Sequence, residues 1–149
     1  MLLARGRHDE AHALLLELER TSGVRGDANV ATNLPELTRC ALAVGAAALA
    51  LRLVDAVEPL TPIHEHALCA ARAHLTEAAG EPAQAAALFA EAAERWRNFG
   101  HVPERAYALL GQDAEEPLRE ARELFTSIGY KPALAKTEAL LGESEAAAV

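Results

Sequence analysis

Two histidines at helical spacing are the first residues that could support chemistry. His8 and His12 stand four residues apart, and two imidazoles at that spacing on one helix can bind a metal ion. A metalloprotease helix places Glu directly after the first His, whereas Asp9 follows His8 here, and no third ligand is evident. We therefore assign the pair to a solvated helix face and predict no metal site.

Three further histidines fall on one predicted helix. On a helical wheel centred on Leu68, His64 lies within the apolar arc, His66 on the opposite face and His74 between them. The three imidazoles therefore cannot converge on one ion from this helix alone. We expect His64 to be a hydrogen-bonded residue in a helix interface, and we keep His66 as a candidate for partner contact.

Arginines beside the apolar arcs are candidates for binding a carboxylate. Arg72 lies at the edge of the arc on that helix, where its stem could pack along a helix seam or its guanidinium could bind a partner's carboxylate. Arg39, on a preceding helix, could line the same groove. Together with His66 and Arg105, these two arginines are the predicted partner-binding residues.

A second group of basic residues brackets one predicted turn. It comprises Arg95, Arg97, His101 and Arg105. An acidic tail or a phosphate could dock there, whereas the interrupting residues Glu94 and Glu104 favour ordinary solvated charges. The functional alternative is an anion contact made by Arg95, Arg97 and His101.

Residues for nucleophilic catalysis do not occur in suitable contexts. No serine stands in a nucleophile-elbow motif, and Cys40 and Cys69 lie 29 residues apart without a Cys-x-x-Cys pair. Such cysteines on alanine-rich helices are typical of buried thiols in a reducing compartment. We predict that the chain is not an enzyme and binds no cofactor.

The composition favours helices and restricts the partners. Ala and Leu supply 35 and 23 of the 149 residues, whereas Val and Ile together supply 9. The formal net charge of −8 repels nucleic acid and anionic membranes. The longest nearly apolar run, residues 41–51, is too short to span a bilayer, and no signal peptide is visible. We predict an all-α, cytoplasmic protein with no nucleic-acid or membrane partner.

The helices that position these residues form a fourfold repeat. Aligning the copies gives four apolar columns, at offsets 0, 3, 4 and 7, with copies spaced 39, 35 and 36 residues apart. The columns are Ala11, Ala50, Ala85 and Ala121; Leu14, Leu53, Leu88 and Leu124; Leu15, Val54, Phe89 and Phe125; and Leu18, Val57, Ala92 and Ile128. These offsets describe one apolar stripe on a helix. Gly6, Gly45 and Gly80 each precede a stripe by five residues, whereas the fourth copy has no such glycine.

Partner helices lie between the stripes, and prolines mark where they begin. These prolines are Pro35, Pro62, Pro103 and Pro132. The predicted helices, about seven to eight in all, are 7–20, 35–44, 46–57, 62–79, 82–99, 103–112, 116–128 and 132–141, with Gly100, Gly129 and Gly142 as stop signals. We predict a single domain over residues 1–142, with a long internal loop at 21–34 and a frayed tail at 143–149.

Two stretches of the chain resemble tetratricopeptide-like repeats. They are Leu75–Gly100 (LTEAAGEPAQAAALFAEAAERWRNFG) and Glu116–Gly129 (EPLREARELFTSIG), and they are similar in style to the C-terminal helical regions of large bacterial regulatory ATPases and nucleotide-cyclase-linked regulators. The resemblance covers most of residues 1–141 and implies an α-solenoid of antiparallel helix hairpins that binds or senses partners. The chain contains no Gly-Lys-Ser/Thr phosphate loop, so the resemblance does not imply ATPase activity.

These patterns together predict a function. We expect a non-catalytic helical-repeat module that mediates protein–protein or peptide binding as a regulatory or sensor segment. One alternative is a small-ligand sensor with a pocket between hairpins, which a closed apolar cavity with converging polar groups near Arg72 and His74 would favour. A less favoured alternative is an enzyme whose site assembles from distant positions.

The N-terminal helix predicts self-association. Residues 1–5 resemble the end of an earlier helix, so the face formed by Leu14, Leu15 and Leu18 should need cover. We expect a homodimer, or another chain packed against this helix.

Overall fold

The fold, taken from a computed structural model, is described for residues 6–149, the side chain of Ser22 excepted. Residues 1–5, where the sequence suggests the end of an earlier helix, lie outside the described residues. The α-helices are α1 (His8–Ser22), α2 (Ala28–Thr32), α3 (Leu34–Ala43), α4 (Ala47–Ala56), α5 (Pro62–Ala78), α6 (Pro82–Phe99), α7 (Val102–Leu110), α8 (Glu115–Ser127) and α9 (Lys131–Ala147). The described residues thus form nine α-helices, eight of them with seven or more residues, which confirms the all-α prediction.

Prolines begin the partner helices as the sequence predicts. Pro35, Pro62, Pro103 and Pro132 occupy the first or second position of α3, α5, α7 and α9. A proline is well tolerated there because the first turn of a helix has no acceptor for its N–H. The helix boundaries consequently agree with the prediction to within about two residues everywhere except at α9.

Tight turns precede the stripe helices. Gly45 and Gly80, before α4 and α6, have φ of 77° and 80°, a region in which a side chain would be strained. The turn before α8 has no glycine at the aligned position. It contains Asp113 at φ 48° instead, and Asp is one of the few residues that tolerate this conformation.

The chain divides into two compact units, an N-terminal unit up to Pro82 and a C-terminal unit from Ala83. In the N-terminal unit, α3 packs against α1, α4 and α5, and α2 packs against α3 and α5. In the C-terminal unit, α8 packs against α7 and α9. Consecutive helices therefore pack in sequence, as in helical hairpins. That residues 1–142 form a single repeat domain stays a prediction.

Two of the four stripe columns are buried in every copy. The offset-0 alanines are at most 8% exposed, and the offset-4 residues, Leu15, Val54, Phe89 and Phe125, are at most 6% exposed. The offset-3 and offset-7 columns vary, since Leu53 is fully buried whereas Leu14 is 60% exposed. Residues four apart lie above one another on a helix, so offsets 0 and 4 form the line of closest packing.

The segment predicted as a long loop, residues 21–34, is partly helical. It contains a 3-10 turn at Val24–Gly26 and the short helix α2. The Asp27 carboxylate caps α2 by accepting hydrogen bonds from the backbone N–H groups of Asn29 and Val30, at 2.9 and 3.2 Å. Val30 is buried where α2 packs against α5, so tertiary contact stabilises a helix too short to persist alone. The structure therefore corrects the predicted loop.

The C-terminal residues also differ from the prediction. α9 continues through Gly142 to Ala147, although the sequence predicts a stop at Gly142 and a frayed tail at 143–149. A glycine inside a helix costs only about 1 kcal/mol relative to alanine, and the flanking Ala, Leu and Glu residues favour the helix. No helix in the described part of the chain, α9 included, is long and apolar enough to cross a membrane.

The predicted apolar face of α1 is partly covered within the N-terminal unit. Leu15 is 6% exposed and Leu18 is half-buried, which corrects the expectation that both lie uncovered. Leu14 and Leu16 remain exposed, at 60% and 43%. Dimerisation or partner packing through α1 stays a prediction that concerns these two leucines.

Candidate functional site

A cleft of about 300 Å³ opens within the C-terminal unit, among α6, α7 and α8. Four apolar side chains form one part of its lining, Ala90 and Ala93 from α6, Leu109 from α7 and Pro117 from α8. Ala93 and Leu109 are buried, whereas Ala90 is exposed. The cleft therefore offers an apolar surface that a ligand side chain could cover.

Six polar side chains complete the lining of the cleft. They are Glu94, Arg97, Arg105, Gln112, Glu116 and Glu120. On each helix the lining residues stand three or four positions apart, so each helix directs one face toward the same opening. The arrangement can bind a group by hydrogen bonds and charge at the edge and by apolar contact inside.

Gly111 brings the turn after α7 close to α6. A Cβ atom at position 111 would lie 2.5 Å from the ring of Phe89, well inside van der Waals distance. The Phe89 ring is fully buried on α6. Because position 111 has no side chain, the turn that carries Gln112 can approach this ring.

An ion pair joins α7 and α8 at the cleft. The Arg105 Nη2 donates to the Glu120 Oε1, and the two side chains are 24% and 42% exposed. The Nε of Arg105 is buried with no hydrogen-bond acceptor in the described structure. Glu120 therefore binds the guanidinium at Nη2, while the buried N–H at Nε has no acceptor. An unsatisfied buried N–H costs free energy, so the ion pair contributes less to stability than a fully hydrogen-bonded one.

The second arginine of the cleft is paired more loosely. Arg97 lies 3.4 Å from Glu94 one turn earlier on α6, and both side chains are about 60% exposed. Asn98 also donates to Glu94, at 3.4 Å. An exposed pair of this kind contributes less than about 1 kcal/mol, so both side chains can turn toward a ligand at little cost.

One carboxylate of the cleft has no cation beside it. Glu116 is exposed and forms no ion pair among residues 6–149. Its neighbour Glu115 pairs with Arg119 one turn later on α8, and neither of those two residues lines the cleft. The hydrogen-bonding capacity of Glu116 is therefore available to a ligand.

The structure brings two predicted site residues, Arg97 and Arg105, together in the cleft. The other two members of that basic group have different contacts. Arg95 donates to Glu91 one turn earlier at 2.7 Å. His101 caps α7, where its Nδ1 accepts from the backbone N–H of Glu104 at 3.3 Å, and its ring lies 5.2 Å from that of Trp96. The anion contact stays a prediction, in which a ligand would replace the glutamates of these arginines.

The remaining predicted site residues lie in the N-terminal unit and line no part of the cleft. Arg39 on α3 approaches His74 on α5, with 3.4 Å between the Nη1 and Nε2 atoms. Arg72 is exposed and His66 is half-buried on the same helix as His74. His64 is buried and accepts from the backbone N–H of Leu60 at 3.4 Å, as expected for an interface histidine.

Other reactive side chains form no cluster. No group of three or more His, Cys, Asp or Glu residues within the described ranges could hold a metal ion. Cys40 and Cys69 do not form a disulfide, and the first is half-buried and the second buried. Burial, helped by the nearby Glu36 carboxylate, raises the pKa of the Cys40 thiol. Less of this thiol is ionised at neutral pH than in an exposed cysteine, so it is a weak nucleophile.

The sequence indicated the basic residues of the cleft but not the acidic ones. Glu116 and Glu120 stand four residues apart on α8, and Arg105 and Leu109 stand four apart on α7. A search for residues at this spacing on consecutive helices, with at least one charged residue in each pair, would have found them. Glu94 could be recognised as a cleft residue only from the packing, because its partner Arg97 lies on the same helix and their spacing alone indicates an ordinary surface ion pair.

Comparison of the chain with protein-family models, with curated proteins and with solved structures found no match. The structural class of the described residues is therefore stated from the fold alone, which is all-helical with sequential helix packing in each unit.

Proposed function

We propose that the chain is a non-catalytic helical-repeat module that binds a peptide segment of a partner protein in the cleft among α6, α7 and α8. The observation that carries the proposal is the lining of the cleft. Three helices each direct one face toward a common opening, with apolar side chains inside and charged side chains around them. Helical-repeat surfaces bind extended peptides or helices through this combination.

The size and polarity of the cleft favour a peptide over an enclosed small molecule. Its volume of about 300 Å³ is at the lower end of small-molecule pockets, which suits one or two peptide side chains. The small-ligand alternative calls for a closed apolar cavity with converging polar groups near Arg72 and His74, whereas this cleft lies in the C-terminal unit. Six polar side chains line this cleft, so its ligand must offer hydrogen-bonding groups of its own.

A binding experiment with a blocked cleft tests the proposal. Peptides from a random library displayed on phage are selected on the full chain, and fluorescently labelled copies are titrated by anisotropy. Ala90→Trp places a large side chain at the cleft from an exposed position and should weaken binding about tenfold or more. Ala87→Trp is the matched control, because Ala87 is also exposed on α6 but does not line the cleft.

The two variants separate the outcomes. Loss of binding in Ala90→Trp with binding retained in Ala87→Trp would support the cleft as the peptide site. Equal affinities for both variants and the wild type would exclude the cleft. Far-UV circular dichroism and thermal unfolding report whether each variant keeps the wild-type fold.

A further inference from the structure

The charges of the cleft do not balance. Its three carboxylates face two guanidinium groups, and each guanidinium is paired with one carboxylate, Arg97 with Glu94 and Arg105 with Glu120. The carboxylate that remains is Glu116. The cleft therefore has one negative charge that nothing in the described part of the chain neutralises.

We infer that the ligand of this cleft is a peptide that presents a lysine or arginine side chain to Glu116. The inference rests on the proposed function and specifies the chemistry of its ligand. A cationic head group would donate hydrogen bonds to the Glu116 carboxylate, and the side-chain oxygen of Gln112 could accept another. The aliphatic stem of the same side chain would pack on Pro117 and Leu109 inside the cleft.

The surrounding charge selects a cation over an anion. Residues 83–149 contain 11 acidic and 7 basic residues, a formal charge of −4 for the C-terminal unit. An anionic group would have to displace Glu120 from Arg105 and would approach two further carboxylates. A basic peptide displaces nothing and is attracted by the field of the unit.

The position of Glu116 in the first turn of α8 offers another role, which the experiment must separate. Acidic side chains at a helix N-terminus interact favourably with the helix dipole. Glu115 occupies the same turn and pairs with Arg119, but it does not line the cleft. Glu115→Gln therefore changes the net charge and the helix end in the same way as Glu116→Gln and serves as its matched control.

The test uses the library-selected peptides and the full chain. We expect the peptides to share a lysine or arginine at one position. Glu116→Gln should weaken their binding about tenfold and Glu115→Gln less than about twofold, because only Glu116 is in the cleft. A peptide with norleucine in place of the basic residue lacks the positive charge and should bind the wild type and Glu116→Gln equally. The four affinities form a double-mutant cycle that isolates the interaction between Glu116 and the basic side chain. Selection on Glu116→Lys should instead enrich an acidic residue at that position.

The outcomes distinguish the inference from the proposed function. If Ala90→Trp does not block the selected peptides, the cleft is not the peptide site and both proposals fail. If Ala90→Trp blocks peptides that carry no shared basic residue, or that carry an acidic one, the inference is overturned while the proposed function stands. Equal losses in Glu116→Gln and Glu115→Gln would also overturn the inference, because the effect would then arise from the helix end or from net charge.

Discussion

The N-terminal unit contains no aromatic residue, whereas the three Phe, two Tyr and one Trp of the chain all lie between positions 89 and 130 in the C-terminal unit. In the N-terminal unit the core consists of Leu, Val and Ala side chains, with Leu34 and Leu53 among the largest that are fully buried. In the C-terminal unit, Trp96, Phe89 and Phe125 have that role. Small side chains allow helices to approach closely, while rings fill volume between helices that stand further apart.

The two units also differ in where their polar groups lie. The N-terminal unit buries two imidazoles, His64 and His74, within its packed helices. In the C-terminal unit the rings fill much of the interior, and five charged side chains line the cleft. The buried imidazoles contribute to packing, whereas the charged side chains at the cleft lie where a ligand could contact them.

The distribution of aromatic residues provides a way to follow one unit at a time. Trp96 is the only tryptophan, so its fluorescence reports on the C-terminal unit, whereas far-UV circular dichroism reports on the helices of both. The two signals can therefore test the comparison in a single sample.

Truncating one large buried side chain in each unit should produce the largest effects. Phe89→Ala should lower the free energy of unfolding by about 3–5 kcal/mol and Leu53→Ala by about 2–5 kcal/mol, because each leaves a cavity at a fully buried position. Denaturant titrations followed by Trp96 fluorescence and circular dichroism measure both values. A loss below about 1 kcal/mol for either variant would contradict its place in the core.

Adding a methyl group at Gly111 should have the next largest effect. Gly111→Ala should destabilise the chain by about 1–3 kcal/mol, because the new Cβ would meet the Phe89 ring at 2.5 Å and force it to move. Gly142→Ala is the control, since nothing lies within 4 Å of a Cβ there and α9 should gain up to about 1 kcal/mol from the better helix former. Unchanged or raised stability of Gly111→Ala would refute the close approach at Phe89.

An arginine–glutamate bridge between two helices occurs in each unit, Arg105–Glu120 and Arg52–Glu19, and removing the more buried of these two should matter more. Arg105→Met breaks the bridge to Glu120 and should lower stability by about 1 kcal/mol, because the guanidinium is only 24% exposed. Arg52→Met breaks the bridge from α4 to Glu19 on α1, whose arginine is 53% exposed, and should have the smaller effect. Thermal unfolding of both variants checks this order, and a larger loss for Arg52→Met would reverse it.

The smallest expected effect is a pH dependence in the N-terminal unit. The hydrogen bonds and charge of Arg52 hold the pKa of Glu19 below its ordinary value. A carboxyl group with a lowered pKa in the folded state adds stability that is present above its unfolded pKa, about 4.3, and is lost as the pH falls through the folded value. Glu19→Gln should therefore be less stable than the wild type at neutral pH, and the difference should vanish in acid.

A control shows whether this acid dependence belongs to the ion pair. Glu65→Gln removes an exposed glutamate that forms no ion pair among the described residues. Its stability should follow that of the wild type across the same pH range. A difference between Glu19→Gln and the wild type that persists in acid would show that Gln disturbs packing and not only charge.

Much of the fold could be predicted from local signals, because those signals act within a few residues of the chain. Proline at a helix start and glycine at positive φ determine where helices begin and end, whatever surrounds them. The predictions that were wrong involve α2 and the last turns of α9. In α2, which buries Val30 and packs against α3 and α5, tertiary contact stabilises a helix that local propensity alone does not favour.

The cleft was predictable only in part. Arg97 and Arg105 could be grouped because they bracket one turn of the sequence. The pairing of Arg105 with Glu120 depends on how α8 packs beside α7, and the turn after α7 approaches α6 where Gly111 lies against Phe89, 22 positions earlier in the chain. A contact between distant residues leaves no periodic pattern in the sequence.

The sequence by itself determined most of the helices and their apolar stripes, since both depend on residue type and spacing along the chain. Only the tertiary structure decided which stripe leucines are covered, as the opposite exposures of Leu14 and Leu53 show. It also decided which cleft carboxylates pair with an arginine, because Glu94 and Glu120 each form an ion pair whereas Glu116 forms none among the described residues. Burial and charge pairing both depend on which helices become neighbours, and that choice involves the whole chain.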